Sequence, residues 1–198
     1  MSIKRVENKY VFNIKSKQKV INGILNKGFR EIYEERQINS IYFDTLDYKC
    51  YIDSVEGNIP RKKIRIRSYD NFNSDLNFEV KEVNENGRFK YTKKITEIQD
   101  KFSDNLYQVV YPTIEIEYKR LYFSDNLIRL TLDFCIRYKS LDTNKICTST
   151  DLILESKLPD GVKYNEELNN YKIFGENNVS FSKYKEAINK NIFFNRNL

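Results

Sequence analysis

Charged and apolar residues alternate one by one along several separate stretches of this chain. In one stretch, Lys63, Arg65 and Arg67 alternate with Ile64 and Ile66. Successive side chains of a β-strand point to opposite faces, so this stretch is predicted to be a strand with one basic and one apolar face. The same alternation recurs later, at 76–81, 129–134 and 152–157. The chain is therefore predicted to form an antiparallel sheet in which these strands each have a charged face.

The amino-acid usage also favours strands over helices. The chain has 15 Tyr and 13 Phe but a single alanine, Ala187. The pattern predicts strands at 5–14, 36–43, 62–69, 76–83, 89–95, 113–123, 127–138 and 150–158. One helix is predicted to begin at Ser16 and end near Gly28, and another to run from Ser182 to about Lys190. The other connections are predicted as a turn at 56–60, a hairpin at 84–87, and a short polar helix or a loop at 98–107.

The length and composition suit one domain. With 198 residues, of which 40% are hydrophobic and 31% charged, the chain can bury a core beneath an ionised surface, so we expect a single domain over residues 1–198. No apolar run approaches the roughly 20 residues of a membrane-spanning helix, and the first residues lack the apolar region of a signal peptide. We therefore expect a cytoplasmic protein that does not insert into a membrane.

The absence of histidine narrows the chemistry. It excludes Ser-His and Cys-His nucleophilic catalysis and every imidazole-bound metal site. The cysteines, Cys50, Cys135 and Cys147, form no CxxC pair and leave one thiol over in any pairing, so neither a disulfide framework nor a zinc ribbon is indicated. A metal would have to be bound by oxygen atoms, which favours Mg²⁺ or Mn²⁺.

Two arrangements could give each strand a charged face. An open antiparallel sheet would expose that face to water, which predicts scattered Lys, Glu, Thr and Ser. A closed β-barrel would instead have its apolar surface outside, under a few flanking helices, and its charged side chains in a tunnel. Arginines and lysines recur here at i, i+2 with few aligned carboxylates, which favours the barrel. Because unpaired buried charge costs several kcal/mol per ion, this α+β, mainly antiparallel fold is expected to hold a polyanion.

Eight short segments, which together span nearly the whole chain, carry a family resemblance. They are RVENKY (5–10), SIYFDT (40–45), RKKIRIRSY (61–69), FEVK (78–81), IEYKRLYF (116–123), IRLTLD (128–133), LILESK (152–157) and FSKY (181–184). In these segments the chain resembles the VTC domain, the polyphosphate polymerase branch of the CYTH or triphosphate tunnel metalloenzyme superfamily. The resemblance implies a closed barrel with a charged tunnel, the arrangement that the alternation also favours.

The resemblance implies a set of phosphate-binding side chains. Those that match the family pattern are Lys9, Arg65, Arg67, Lys81, Arg120, Arg129 and Lys183. Lys183 matches the lysine near the transferred phosphoryl group, and Lys9, Arg65 and Arg67 are the other candidates for a catalytic role.

Further lysines and three carboxylates complete the expected site. Lys157 is expected to contribute to the tunnel charge. After FEVK the family has another tunnel lysine, for which Lys90, Lys93 and Lys94 compete, with Lys90 the first candidate and Lys94 the second. The resemblance implies that a Mn²⁺ or Mg²⁺ cofactor is held by an acidic residue that matches Glu155. The other candidate metal ligands are Glu7 and Asp133, the latter being alternatively a partner for a lysine.

The resemblance implies an enzyme that transfers the γ-phosphoryl group of ATP to a growing inorganic polyphosphate chain. No general base is required for this reaction, because the acceptor phosphate is largely ionised at neutral pH. Two alternatives stay open: a triphosphatase that hydrolyses inorganic triphosphate or a nucleoside triphosphate, and a non-catalytic module that binds polyphosphate. Nucleic acid is not an expected ligand, because Phe78 and Phe134 share strand faces with aliphatic residues. The expected partners are a triphosphate such as ATP, polyphosphate, and a separate membrane subunit for any export of product.

Overall fold

The computed structural model describes residues 6–70, 75–125, 127–158 and 179–193. In this part of the chain ten strands are arranged in one sheet. They are β1 (Val6–Asn13), β2 (Arg30–Asp44), β3 (Arg61–Tyr69), β4 (Leu76–Asn84), β5 (Gly87–Ile95), β6 (Phe102–Asp104), β7 (Gln108–Ser124), β8 (Arg129–Ser140), β9 (Ile146–Thr148) and β10 (Asp151–Leu158). The helices are α1 (Lys17–Asn26), α2 (Lys49–Glu56) and α3 (Lys183–Ile188).

The strands pair antiparallel in the order β1-β10-β8-β7-β2-β3-β4-β5, with β6 added to β7 and β9 to β8. The predicted class, mainly antiparallel β with flanking helices, is confirmed. The predicted closure of the barrel is wrong: among the described residues, β1 and β5 are the two ends of the sheet and do not pair with each other. Both strands present lysines to the same face, Lys9 on β1 and Lys90 on β5. Pairing them directly would place like charges side by side, which is unfavourable.

The sheet is nevertheless curved, because one short segment contacts strands that are far apart in it. The Lys9 ammonium donates to the backbone oxygen of Phe181 at 3.0 Å, and the Lys63 ammonium donates to Ser182 Oγ at 3.1 Å. Lys9 is on β1 and Lys63 on β3, five positions away in the strand order. The face that carries these lysines is called the concave face below.

The apolar strand residues form two clusters on the convex side. The first joins α1 to strands β7, β8 and β10 through Val20, Ile24, Phe123, Leu130, Leu132 and Leu154. The second joins α2 to strands β2, β3 and β7 through Cys50, Phe43, Ile64, Ile66 and Val110. These are the apolar faces that the alternation predicted, and their burial leaves the charged residues of the same strands on the concave face.

Helix α3 packs on the concave side instead. Tyr184 and Ile188 are buried against Ile116 and Tyr138, and the Tyr184 ring stacks on Tyr42 of β2 with centroids 4.9 Å apart. The helix begins after Ser182, as predicted, and one further wide turn continues it to residue 193. Since its first residue is Lys183, this packing brings a predicted site residue onto the concave face.

Several elements differ from their predicted extent. Strand β2 begins at Arg30, six residues before the predicted start, because residues 30–36 are exposed on both faces and so show no alternation. Strand β7 begins at Gln108, where it pairs with β6 inside the segment predicted as a polar helix or loop. Helix α2 and strand β9 were not predicted at all.

Asp44 explains why α2 begins where it does. The Asp44 side chain accepts hydrogen bonds from the backbone N–H groups of Cys50 and Tyr51, at 2.8 and 3.0 Å, and from the Tyr184 hydroxyl. This fully buried carboxylate therefore fixes both α2 and α3 to the end of β2. Its hydrogen-bond partners are up to 140 residues away, so no local sequence pattern could predict the arrangement.

The substitution Asp44→Ala is expected to lower the free energy of unfolding by about 3 kcal/mol or more, because it leaves several buried donors without an acceptor. Urea denaturation monitored by circular dichroism measures this change. The matched control is Asp47→Ala, an exposed aspartate of the same loop, for which a change within about 0.5 kcal/mol is expected. Equal effects of the two substitutions would contradict this role of Asp44.

None of the described helices is both long and apolar enough to cross a bilayer.

Candidate functional site

The first group of charged residues on the concave face is centred on Glu79 of β4. Arg65 donates from Nε to Glu79 at 2.7 Å and from Nη1 to the Tyr42 hydroxyl at 2.7 Å. Lys90 contacts the other Glu79 oxygen at 2.6 Å, and Arg67 lies 3.9 Å away. Burial alone would raise the pKa of Glu79, but Arg65, Arg67 and Lys90 lower it to about 2. Glu79 is therefore a permanent anion that orients two arginines and one lysine.

The second group is centred on Asp133 of β8. Arg120 of β7 contacts its two oxygens at 2.5 and 2.7 Å, and Lys183 of α3 contacts one of them at 2.5 Å. Burial would raise the pKa of this carboxyl, yet Arg120 and Lys183 hold it well below its usual range. Both oxygens are thus engaged by cations. Of the two interpretations of Asp133, the partner for a lysine describes this geometry, and the carboxylate positions Arg120 and Lys183.

The third group is centred on Glu155 of β10. Lys157 lies 3.1 Å and Lys9 3.9 Å from its oxygens. Burial opposes ionisation, but Lys157 and Lys9, with smaller contributions from Arg120 and Lys183, lower the pKa of Glu155 to about 2. On β1, Glu7 pairs with Lys157 and is the diagonal neighbour of Glu155 on the same face.

Positive charge exceeds negative charge between these groups. Lys63 is half-buried there and Lys81 is exposed on β4, and the pKa of each is lowered to about 8. Desolvation lowers the pKa of Lys63 most, and the charges of Lys9, Lys185 and Lys81 lower it further. Tyr42 acts in the opposite direction and raises this pKa. Desolvation and then the charge of Arg65 lower the pKa of Lys81. Glu7, Tyr42 and Glu155 raise it, but by less. A bound anion would stabilise the charged forms of lysines that lie so close to other positive charges. The concave face is therefore suited to bind an anion.

The structure also places the remaining predicted residues. Lys94 lies on the same strand face as Lys90, but its side chain is 80% exposed and pairs with Asp75 at 3.1 Å. Arg129 is exposed at the start of β8, next to Lys157. Lys90 is therefore the lysine of β5 that reaches the buried arginines, while Lys94 and Arg129 lie at the periphery of the concave face.

Some residues of the concave face were not among the predicted site residues. Lys63 alternates with Arg65 and Arg67, so the sequence placed it on the right face without assigning it a role. The sequence assigned no role to Tyr42 and Tyr118, yet their hydroxyls accept hydrogen bonds from Arg65 at 2.7 Å and Arg67 at 3.1 Å. A tyrosine at an inward strand position beside an arginine is the signal that could have identified them.

The carboxylates of the concave face fit a divalent cation only in part. Within the described ranges, no group of three or more His, Cys, Asp or Glu side chains could hold a metal ion. Glu7 and Glu155 offer carboxylate oxygens from neighbouring strands, and Mg²⁺ commonly uses one or two carboxylates together with phosphate oxygens. Glu7 and Glu155 could therefore contribute to a Mg²⁺ or Mn²⁺ site only together with phosphate oxygens, which would supply the remaining ligands.

Comparison with known proteins identifies relatives of this chain. The model of the VTC domain matches residues 4–109, more than half of the chain. The PH1819 protein from Pyrococcus horikoshii OT3 has a TM-score of 0.55 at 13% identity, over 96% of this chain and 99% of that one. A candidate adenylyl cyclase from Hippeastrum, described as having a dominant triphosphatase activity, has a TM-score of 0.53 at 12% identity, over 94% and 96% of the two chains. No curated protein sequence matches.

The similarity to solved structures and the match to the family model support different conclusions. At identities of 12% and 13% the solved structures show a shared fold and nothing finer. The family match includes strands β1 to β5 and hence Lys9, Arg65, Arg67 and Lys81 of the concave face. Because that match extends over more than half of the sequence, the chain belongs to the VTC domain family.

Proposed function

We propose that this protein is a polyphosphate polymerase, which transfers the γ-phosphoryl group of ATP to the end of a growing inorganic polyphosphate chain. The proposal rests on one observation above all: Lys63 and Lys81 lie beside Arg65 and Lys9 on the concave face, and only a few carboxylates oppose them. A linear polyanion with several adjacent phosphates supplies the missing negative charge. Membership of the VTC domain family supports the same ligand class.

Arginines and lysines have distinct roles in this proposal. The guanidinium groups of Arg65, Arg67 and Arg120 can each bind phosphate oxygens bidentately, whereas Lys9, Lys81 and Lys183 act as point charges. The bound carboxylates Glu79 and Asp133 fix the arginine planes before the ligand arrives. Such preorganised charges stabilise the equatorial oxygens of the transferred phosphoryl group without any rearrangement.

The reaction moves one phosphoryl group and needs no protein base. The bond between the γ-phosphorus and the β–γ bridging oxygen breaks, ADP leaves, and a terminal oxygen of polyphosphate forms the new bond to phosphorus. Lys183 and Arg120 are held together by Asp133 and would neutralise the charge on the transferred group. Glu155 and Glu7 would hold a Mn²⁺ or Mg²⁺ ion, which supplies charge neutralisation on the phosphate oxygens when bound.

A triphosphatase is the second candidate. The same residues would bind the substrate, but water would replace polyphosphate as the acceptor and would need a carboxylate to orient it. Glu7 is the described carboxylate that favours this candidate, because it is exposed and pairs through the backbone with Lys157, not with a buried arginine. The Hippeastrum structure shares this fold.

Product analysis separates these functions. Purified protein is incubated with γ-labelled ATP and Mn²⁺, and long chains, orthophosphate and ADP are resolved in one assay. Labelled polymer formed together with ADP supports the polymerase. Orthophosphate without polymer would contradict it in favour of a triphosphatase. Salt-sensitive triphosphate binding without turnover would instead indicate a non-catalytic polyphosphate-binding module.

Binding of inorganic triphosphate at about pH 9 is expected to take up protons. The pKa values of Lys63 and Lys81 are about 8 in the free protein, so both are largely neutral at that pH. A bound polyanion favours their charged forms and raises these pKa values. The affinity should accordingly fall as the pH rises through about 8.

Calorimetric titration in buffers of different ionisation enthalpy counts these protons. The variant Lys63→Met should take up fewer protons than the wild type at about pH 9, because one of the titrating groups is missing. Binding with no proton uptake at that pH would contradict the placement of the ligand beside these lysines.

A further inference from the structure

Three tyrosines and one arginine lie together at one end of the concave face. We call this set the mouth group; it consists of Tyr33, Arg36, Tyr69 and Tyr122. Tyr33 and Tyr122 are directly opposite on β2 and β7, and Arg36 is opposite Arg120 on the same two strands. Tyr69 is the last residue of β3 and pairs with Ile38 of β2.

The rings of the mouth group contact one another and the arginine. The Tyr33 and Tyr122 rings meet edge to face with centroids 5.6 Å apart. The Arg36 guanidinium carbon lies 5.3 Å from the Tyr33 centroid and 5.9 Å from that of Tyr69. Tyr33 is nevertheless 49% exposed. An aromatic surface that is preassembled and still half open to water suits a planar ligand.

The mouth group is continuous with the phosphate-binding residues. The Arg120 guanidinium carbon lies 5.9 Å from the Tyr122 centroid and 5.2 Å from that of Tyr118. Tyr118 in turn accepts a hydrogen bond from Arg67 and lies under the Lys183 ammonium at 4.6 Å. A continuous series of contacts between arginines and tyrosines therefore leads from Arg67 to Arg36.

The charge of Arg36 is available to a ligand. Its side chain is exposed and forms no ion pair with any carboxylate of the described residues. Glu35, the adjacent acidic residue, faces the other way and pairs with Lys119 at 2.7 Å. A guanidinium stacked on an aromatic ring keeps its N–H groups free for an anionic oxygen at its edge.

We propose that the mouth group binds the base of a nucleoside triphosphate whose phosphates lie on the concave face. This inference rests on the proposed function. In a nucleoside triphosphate only the sugar separates the base from the α-phosphate, so a ring that stacks on the base must lie beside a phosphate-binding arginine, as Tyr122 does. Aromatic rings stack on any base, so the group gives affinity for nucleotides over inorganic triphosphate.

The test compares two ligands that differ only in the nucleoside. Dissociation constants for ATP and for inorganic triphosphate are measured without metal for the wild type, Tyr33→Ala, Tyr33→Phe and Tyr91→Ala. Tyr91 is the matched control, a 55% exposed tyrosine of β5 that pairs with Val80. We expect Tyr33→Ala to weaken ATP binding about tenfold, the effect of one stacking ring. Its affinity for inorganic triphosphate should stay unchanged, and the other two variants should behave as the wild type.

Each other result overturns this inference. If Tyr33→Ala weakens both ligands equally, Tyr33 supports the sheet and does not contact the base. If it weakens neither, the base lies elsewhere, while the proposed binding of phosphates on the concave face still holds. If the wild-type protein binds neither ligand, the proposed function fails and the base site fails with it.

Discussion

Arg65→Ala is expected to weaken the binding of inorganic triphosphate by about 100-fold or more, which corresponds to the loss of two hydrogen bonds between charged groups. Arg65 is buried, and Glu79 and Tyr42 fix its guanidinium group in the centre of the concave face. The fork geometry matters as well as the charge. Arg65→Lys should therefore bind with an intermediate affinity. Isothermal titration calorimetry measures all three proteins.

Two controls separate binding from stability in this comparison. Removing Arg65 leaves Glu79 buried beside fewer cations, at a cost of about 3 kcal/mol in the free energy of unfolding. The double variant Arg65→Ala/Glu79→Gln removes that buried charge and should remain deficient in binding. Lys94→Ala deletes an exposed lysine of the same sheet face and should bind almost as well as the wild type. Equal losses for Lys94→Ala and Arg65→Ala would contradict the described site.

Glu155→Gln is expected to reduce metal-dependent turnover of ATP by at least about 100-fold, because a bound metal contributes several kcal/mol to phosphoryl transfer. Triphosphate binding without metal should persist or tighten, since the substitution removes a negative charge beside Lys9 and Lys157. Steady-state kinetics over a Mn²⁺ titration, together with metal-free calorimetry, measure both effects.

The matched control for Glu155→Gln is Glu115→Gln. Glu115 is a half-buried glutamate of β7 that lies 3.9 Å from Lys139, outside the three groups of the concave face. This control should keep both turnover and binding. Full metal-dependent activity in Glu155→Gln would show that the metal is held elsewhere, and a simultaneous loss of metal-free binding would show that the substitution disturbs the phosphate site.

Alternation along strands predicted the part of the fold that depends on burial. Ile64 and Ile66 are buried on the convex side and Arg65 and Arg67 face the concave side, because the period of a strand leaves no other choice once one face is apolar. The same rule placed Glu155 and Lys157 together on β10. These assignments needed only local sequence.

Features that depend on distant contacts could not be predicted in this way. Helix α2 is fixed by Asp44, whose side chain binds backbone groups beyond its own strand and the hydroxyl of Tyr184 near the end of the chain. The failure of β1 and β5 to pair involves lysines of two strands that are distant in the sequence, Lys9 and Lys90, and alternation within each strand does not encode this. Lys63 also contacts Ser182, which is 119 residues later in the chain.

The central claim is that the concave face is built to bind a chain of phosphates. The most direct test is a metal-free calorimetric titration of the wild-type protein with inorganic triphosphate at low and at high salt. The account predicts saturable binding of one triphosphate per protein, with an affinity that falls as the salt concentration rises. Absence of saturable binding at low salt would contradict this claim, since the clustered charges of Lys63 and Lys81 would then have no anionic ligand.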